Sequence, residues 1–216
     1  MNIEQARFNM IEQQIRPNGV VDETILKLLF NLKREKFVAE EMQNLAFSDL
    51  EIPLPGEQKM LYPRVEAQLI QALNIKKTDK ILEIGTGSGY VTAMLAKLSQ
   101  FVYSIEIDER NRQFAVHNLT KAGITNVSII NGNGINGFSE KAPYDKIFIG
   151  AGMLEISNNI KHELKIGGSL VGFSGEKPVM HAQLIERVAD NKYNQKNLFE
   201  VNIDYLISEQ VKNFKF

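Results

Sequence analysis

Lys80-Ile-Leu-Glu-Ile-Gly-Thr-Gly-Ser-Gly-Tyr90 passes from an apolar run straight into glycines at positions 85, 87 and 89. A short apolar run bounded by glycine reads as a buried strand, and the glycines as a tight turn opening a helix. The same alternation continues towards the C-terminus. Apolar runs at Ile81–Ile84, Val102–Ile107, Val127–Ile130, Lys146–Ile149 and Ser169–Phe173 interleave with helical periodicity near Gly89–Leu98, Glu109–Ala122 and Leu154–Leu164. Strand and helix in alternation predict a parallel sheet with right-handed crossovers. The tail breaks the pattern: His181–Val188 and Leu198–Ile207 are two β-like runs split by the polar turn Asp190–Asn194, which predicts a hairpin closing the sheet edge.

On the N-terminal side the period is helical. Phe8, Ile11 and Ile15 share one face, Ile25 to Leu32 follow a candidate cap at Asp22, and Val65 to Leu73 follow Pro63. Between them LEIPLPGEQKMLYP (50–63), with three prolines, reads as an ordered loop. The expected organisation is a helical region over 1–78 and a sheet core over 79–216, packed as one structural domain.

Composition narrows the class. With 44% hydrophobic and 24% charged residues, 216 residues suffice for one substantial core. The 25 basic and 26 acidic side chains nearly cancel, and no basic run exceeds two residues, which argues against nucleic-acid or membrane partners. Cysteine is absent, which excludes thiolate chemistry and Cys-ligated metals. MNIEQARFNMIEQQIR carries acids and amides where a signal peptide needs an apolar run, so a cytoplasmic protein is expected. His117, His162 and His181 have no metal-ligand spacing, and no metal is expected.

The glycine turn lies where open α/β sheets bind ligands, outside the carboxyl ends of the strands. A dinucleotide fingerprint would need glycine at position 90, which is Tyr90, and the Walker lysine is missing. S-adenosylmethionine suits these residues better. It has no phosphate but carries a sulfonium, an ammonium and a carboxylate, so it needs an acid and helix-terminal amides. Glu83 and Ile84 lead into Gly85, Thr86, Gly87, Ser88 and Gly89, which offer both. Glu106, 21 residues beyond Gly85, stands with Ile107 at the end of the next strand, where a carboxylate can accept from both ribose hydroxyls. Asp108, two residues on, also stands where a helix from Glu109 would take its cap. After the third strand, Gly132-Asn133-Gly134 places an amide for the adenine edge between glycines that let the chain fold against the ring.

The chain also resembles the protein-L-isoaspartate O-methyltransferases, through MIEQQIRPNGVVDETIL (10–26), KREKFV (33–38), AFSDLEIPL (46–54), ILEIGTGSGY (81–90), VYSIEID (102–108) and LKIGGSLV (164–171). ILEIGTGSGY alone marks only a class I methyltransferase, whereas the N-terminal block is more specific. The resemblance implies a Rossmann-like, doubly wound, mostly parallel seven-stranded sheet with a C-terminal antiparallel hairpin and an N-terminal helical extension. It implies methyl transfer from S-adenosylmethionine to isoaspartyl carboxylates of damaged proteins. A carboxylate acceptor is ionised at neutral pH, so positioning, not a general base, carries such a reaction. The chain departs from the family in the loop over the cofactor, here Pro55-Gly-Glu-Gln-Lys-Met-Leu-Tyr-Pro63. Gln58 and Pro63 match, but Lys59 and Leu61 stand where the family has hydroxyls, and Asn133 stands for its aspartate. Gln58, Lys59 and Leu61 are thus the candidate acceptor positions. Another acceptor, or cofactor binding with little isoaspartyl activity, is the alternative.

Overall fold

The structure, a computed structural model, describes residues 2–207. Helix α1 (Ile3–Asn9) starts where the Asn2 side chain accepts from the Gln5 amide. It widens into a π-helical turn at Met10–Ile15 that buries Met10, Ile11 and Ile15. Helix α2 (Glu23–Asn31) is capped by Asp22, as its sequence predicts, and buries Ile25, Leu26 and Leu29. Two short strands, β1 (Ile52–Pro53) and β2 (Lys59–Met60), pair antiparallel and shape the proline-rich loop. Helix α3 (Pro63–Leu73) has proline in its first turn and ends at Asn74 in the left-handed region.

The sheet contains β3 (Lys80–Ile84), β4 (Phe101–Glu106), β5 (Val127–Asn131), β6 (Tyr144–Met153), β7 (Leu164–Glu176), β8 (Val179–Ala189) and β9 (Lys192–Val201) in the order β5-β4-β3-β6-β7-β8-β9. The first five strands are parallel, and β8 and β9 are antiparallel. Helices α4 (Tyr90–Leu98), α5 (Glu109–Lys121) and α6 (Asn158–His162) lie in the crossovers. Because the chain leaves β3 towards β4 but later returns to pair β6 on its other side, a crevice opens at the carboxyl ends of β3 and β6. Phe148 and Phe173 are fully buried, whereas Phe101 and Phe114 are half-buried. One apolar cluster runs from Met10 through the helical region to Ile203, so the two parts of the chain share a core.

Two elements differ from the sequence reading. The helix expected over Leu154–Leu164 shrinks to α6, because β6 runs on through a bulge to pair Met153 with Ser174. Ile156, Ile160 and Leu164 keep the apolar spacing, but Leu154 is exposed and Leu164 already opens β7. The hairpin turn is also shorter than Asp190–Asn194. Ala189 pairs with Lys192, and Asn191 takes a positive φ of 53° in a two-residue turn. Strand β9 therefore begins six residues before Leu198. Its first half is polar because an edge strand needs only backbone pairing, which conceals it from a hydrophobicity reading. Residues 203–207 leave the sheet and cross back to β6, where Tyr205 bridges Gly152.

Candidate active site

At the carboxyl end of β3 the chain turns within five residues into α4. Gly85, Gly87 and Gly89 all have positive φ, at 91°, 56° and 81°. At Gly87 a Cβ would also lie 3.2 Å from Leu54 Cδ1, a tight contact that the leucine side chain would have to relieve. A Cβ on Gly89 would press on Leu119 and Ala115 of α5, so that glycine serves helix packing. Gly85 and Gly87 line the crevice, while Thr86, Ser88 and Gly89 do not. The Thr86 hydroxyl lies 2.6 Å from that of Ser104, and the Ser88 carbonyl accepts from Asn118 Nδ2.

Glu106 closes β4 and is only 5% exposed. Its Oε2 accepts from the Gly87 amide at 2.8 Å and its Oε1 from the Asp108 amide at 3.0 Å. Burial raises its pKa, and those two amides pull it back by favouring the carboxylate. Asp108 caps α5, accepting from Arg110 N. Ile84, Ile107, Gly132, Asn133 and Gly134 also line the crevice. Asn133 Oδ1 accepts from Ile135 N at 3.0 Å, which directs the rest of its amide to other partners.

Glu83 does not reach this crevice. Side chains alternate along a strand, so Ile84 faces the crevice while Glu83 points beneath α4, fully buried. Its Oε2 accepts from Thr92 and Ser104 at 2.6 Å each, and its Oε1 has no partner. Desolvation pushes its pKa up to about 8, so the carboxyl is largely protonated at neutral pH.

The acceptor loop reaches the crevice with Gln58 and Lys59 but not with Leu61. The Leu61 side chain sits in the apolar core, and its carbonyl accepts from Arg34 Nη2 at 2.8 Å. Arg34 is buried, paired with Glu66 of α3, and stacked 4.9 Å over the Tyr90 ring. The KREKFV segment thus ties the helical region to the first residue of α4. Gln58 Oε1 accepts from Asn111 Nδ2 at 2.6 Å, and Asn111 Oδ1 accepts from the Gly56 amide. Lys59 Nζ lies 3.3 Å from Asp204 and 3.6 Å from Glu51, and Asp204 also pairs with Lys177 at 2.7 Å. These contacts, that with Asp204 foremost, hold the Lys59 pKa above its ordinary value.

Sequence reasoning missed several wall residues. Leu54, Asn111 and Ala151 line the crevice, and so do Tyr205, Leu206 and Ile207 from the segment after β9. The amide of Gly152 donates to the Asp204 carbonyl and its carbonyl accepts from Leu206 N, both at 2.8 Å. With that segment in place, the crevice encloses about 80 Å³. In the sequence the signal for that segment is the apolar Tyr205-Leu-Ile207, which reads as the end of a strand.

Residues 5–209 match the family model described as protein-L-isoaspartate(D-aspartate) O-methyltransferase. A Syntrophus aciditrophicus protein-L-isoaspartate O-methyltransferase is 35% identical over 95% of this chain and 95% of its own. A Pelobacter propionicus protein-L-isoaspartate O-methyltransferase 2 is 32% identical over 97% of this chain and 93% of its own. The fold is shared with a solved protein-L-isoaspartate O-methyltransferase at TM-score 0.81 and 24% identity, covering 95% of this chain and 66% of that one. A Plasmodium falciparum structure described as such an enzyme with S-adenosyl-L-homocysteine gives TM-score 0.80 at 20% identity, over 96% and 99% of the two chains. The family match spans the glycine turn, the Glu106 strand end and the acceptor loop alike, and the chain belongs to the protein-L-isoaspartate(D-aspartate) O-methyltransferase family.

Proposed function

We propose that this chain methylates carboxylates of isoaspartyl residues in damaged proteins, using S-adenosylmethionine bound at the carboxyl ends of β3, β4 and β5. In residue type the lining fits that cofactor, and its walls must spread to admit it, since the crevice leaves only about 80 Å³. Gly85, Gly87, Gly132 and Gly134 leave a cradle without side chains, and added Cβ atoms at 87 and 134 would meet Leu54 and Ile84. Glu106 would hold the ribose with the lone pairs that Gly87 and Asp108 leave free. The Asn133 amide is placed for adenine. When bound, the cofactor supplies a methyl group activated by its sulfonium.

The chain's own residues position the acceptor and exclude water. The observation that carries this reading is the pairing of that cradle with Lys59, the single cation among the described residues of the lining, whose one described carboxylate, Glu106, backbone amides already hold. A carboxylate acceptor matches it, because it needs a positive charge and no proton acceptor. Holding acceptor and methyl in contact can supply roughly 7–11 kcal/mol of such a barrier. Tyr205, Leu206 and Ile207 form the apolar wall that keeps water from the reacting atoms. The reading includes a cytoplasmic location and protein substrates; among the described residues no helix is long and apolar enough to cross a membrane.

One observation favours a second reading, a different carboxylate acceptor: Asp204 and Glu51 already compete for Lys59. The deciding measurement is methyl-ester formation on an isoaspartyl peptide, with its aspartyl counterpart as control. Cofactor affinity is measured in parallel by calorimetry. Turnover confined to the isoaspartyl peptide is expected. Asp204→Asn should lower KM for it roughly two- to fivefold with kcat little changed, the range that an exposed ion pair contributes. Cofactor binding with no turnover on either peptide would overturn the isoaspartyl assignment.

A further inference from the structure

Away from the crevice, the molecule carries a groove of about 1110 Å³ between α2, the Arg34–Lys36 turn and the ends of α4 and α5. Lys27, Lys33, Lys36, Lys77, Lys97 and Lys121 all border it, and all six are exposed. His117 joins them, and among the described residues Glu40 is the only acid in the lining. Among the described residues none of the six lysines forms an ion pair; the Lys77 ammonium donates only to the Lys97 carbonyl. The floor is apolar, made by Leu28, Phe37, Leu98 and Phe114 among others. A chain with net charge −1 thus concentrates six cations around one concave apolar strip.

Two local explanations account for part of this. Lys97 and Lys121 stand in the last turns of α4 and α5, where cations offset the helix dipole. That does not explain Lys27, Lys33 and Lys36 on the facing wall, nor the apolar floor between the walls. We infer that the groove docks an acidic polypeptide segment that also carries apolar side chains, its carboxylates meeting the lysine rims and its apolar face the floor. Single-stranded nucleic acid suits the surface less well. It would favour exposed aromatic platforms and arginine forks, whereas the lining holds only lysines as cations, with Phe37 buried and Phe114 half-buried. The concavity also argues against a flat lipid surface. This docking is separate from methyl transfer, so either assignment can fail without the other.

The test is fluorescence anisotropy with a labelled twelve-residue peptide, Glu-Leu-Glu-Glu-Leu-Leu repeated twice, titrated with the full chain. S-adenosylhomocysteine affinity, unchanged, serves as the check on folding. Saturable binding is expected that weakens between about 50 and 300 mM salt. Lys27→Glu/Lys33→Glu/Lys36→Glu should weaken it at least tenfold, and so should Lys97→Glu/Lys121→Glu on the other wall. A leucine-free polyglutamate of equal length should bind several-fold more weakly. Absence of saturable binding, equal binding by both variants, equal binding of polyglutamate, or tighter binding of a twelve-nucleotide single strand would each overturn the inference.

Discussion

Glu106 is both a wall of the crevice and a brace for the glycine turn, since one of its oxygens holds the Gly87 amide. Charge-assisted hydrogen bonds contribute roughly 1.5–3 kcal/mol each. Glu106→Ala is therefore expected to lower S-adenosylhomocysteine affinity at least tenfold by calorimetry, and a loss below threefold would show that the carboxyl serves only the turn. This residue was legible because it ends an apolar run 21 residues beyond Gly85, where the second strand of such a sheet closes. So were Gly85, Gly87 and Asn133. Glu83 and Leu61 were not, because which way each side chain faces is settled by strand alternation and core packing. Asn111 escaped notice because its partner Gln58 lies 53 residues away in the chain.

Glu83 joins three elements, accepting from Thr92 of α4 and Ser104 of β4 while sitting in β3. Its pKa rises from 4.5 to about 8, so the folded state binds a proton that the unfolded chain releases at lower pH. The resulting stability is complete below about pH 4.5 and is lost as pH rises through 8. Carboxylates held low, such as Asp145 and Asp204, are already ionised over this window and add no slope. Urea unfolding at about pH 5 and 8.5 should show the wild type weakening, and Glu83→Gln weakening less by roughly 2–5 kcal/mol. Parallel slopes would refute the buried proton. At this scale the parallel strands and α5 were readable from periodicity, whereas β9 was not, because a polar edge strand carries no apolar period. The helix expected over Leu154–Leu164 kept only Asn158–His162, its ends lying against the end of β6 and the start of β7.

Across the whole molecule, the helical region is held together by two buried ion pairs, Arg7 with Glu35 and Arg34 with Glu66, and Arg34 also stacks on Tyr90 of the sheet core. Removing one partner leaves the other charge buried and uncompensated, which typically costs about 3–5 kcal/mol. Glu66→Ala is expected to destabilise the fold by about that amount in denaturant unfolding, and Arg34→Met/Glu66→Leu by clearly less. Equal losses would mean that Arg34 matters mainly through the Leu61 carbonyl and the Tyr90 ring. The architecture was legible because its motifs occur in order along the chain. The lysine groove was not, since its cations come from α2, the Lys33–Lys36 segment, the loop before β3 and the ends of α4 and α5, and meet only on folding. The wall formed by Tyr205, Leu206 and Ile207 has a consequence for folding. These residues follow every strand of the sheet in the sequence, so pairing β3 to β9 leaves the crevice without one side until they dock. The crevice is therefore closed by the two parts of its lining farthest apart in the sequence, the 54–59 loop and residues 205–207.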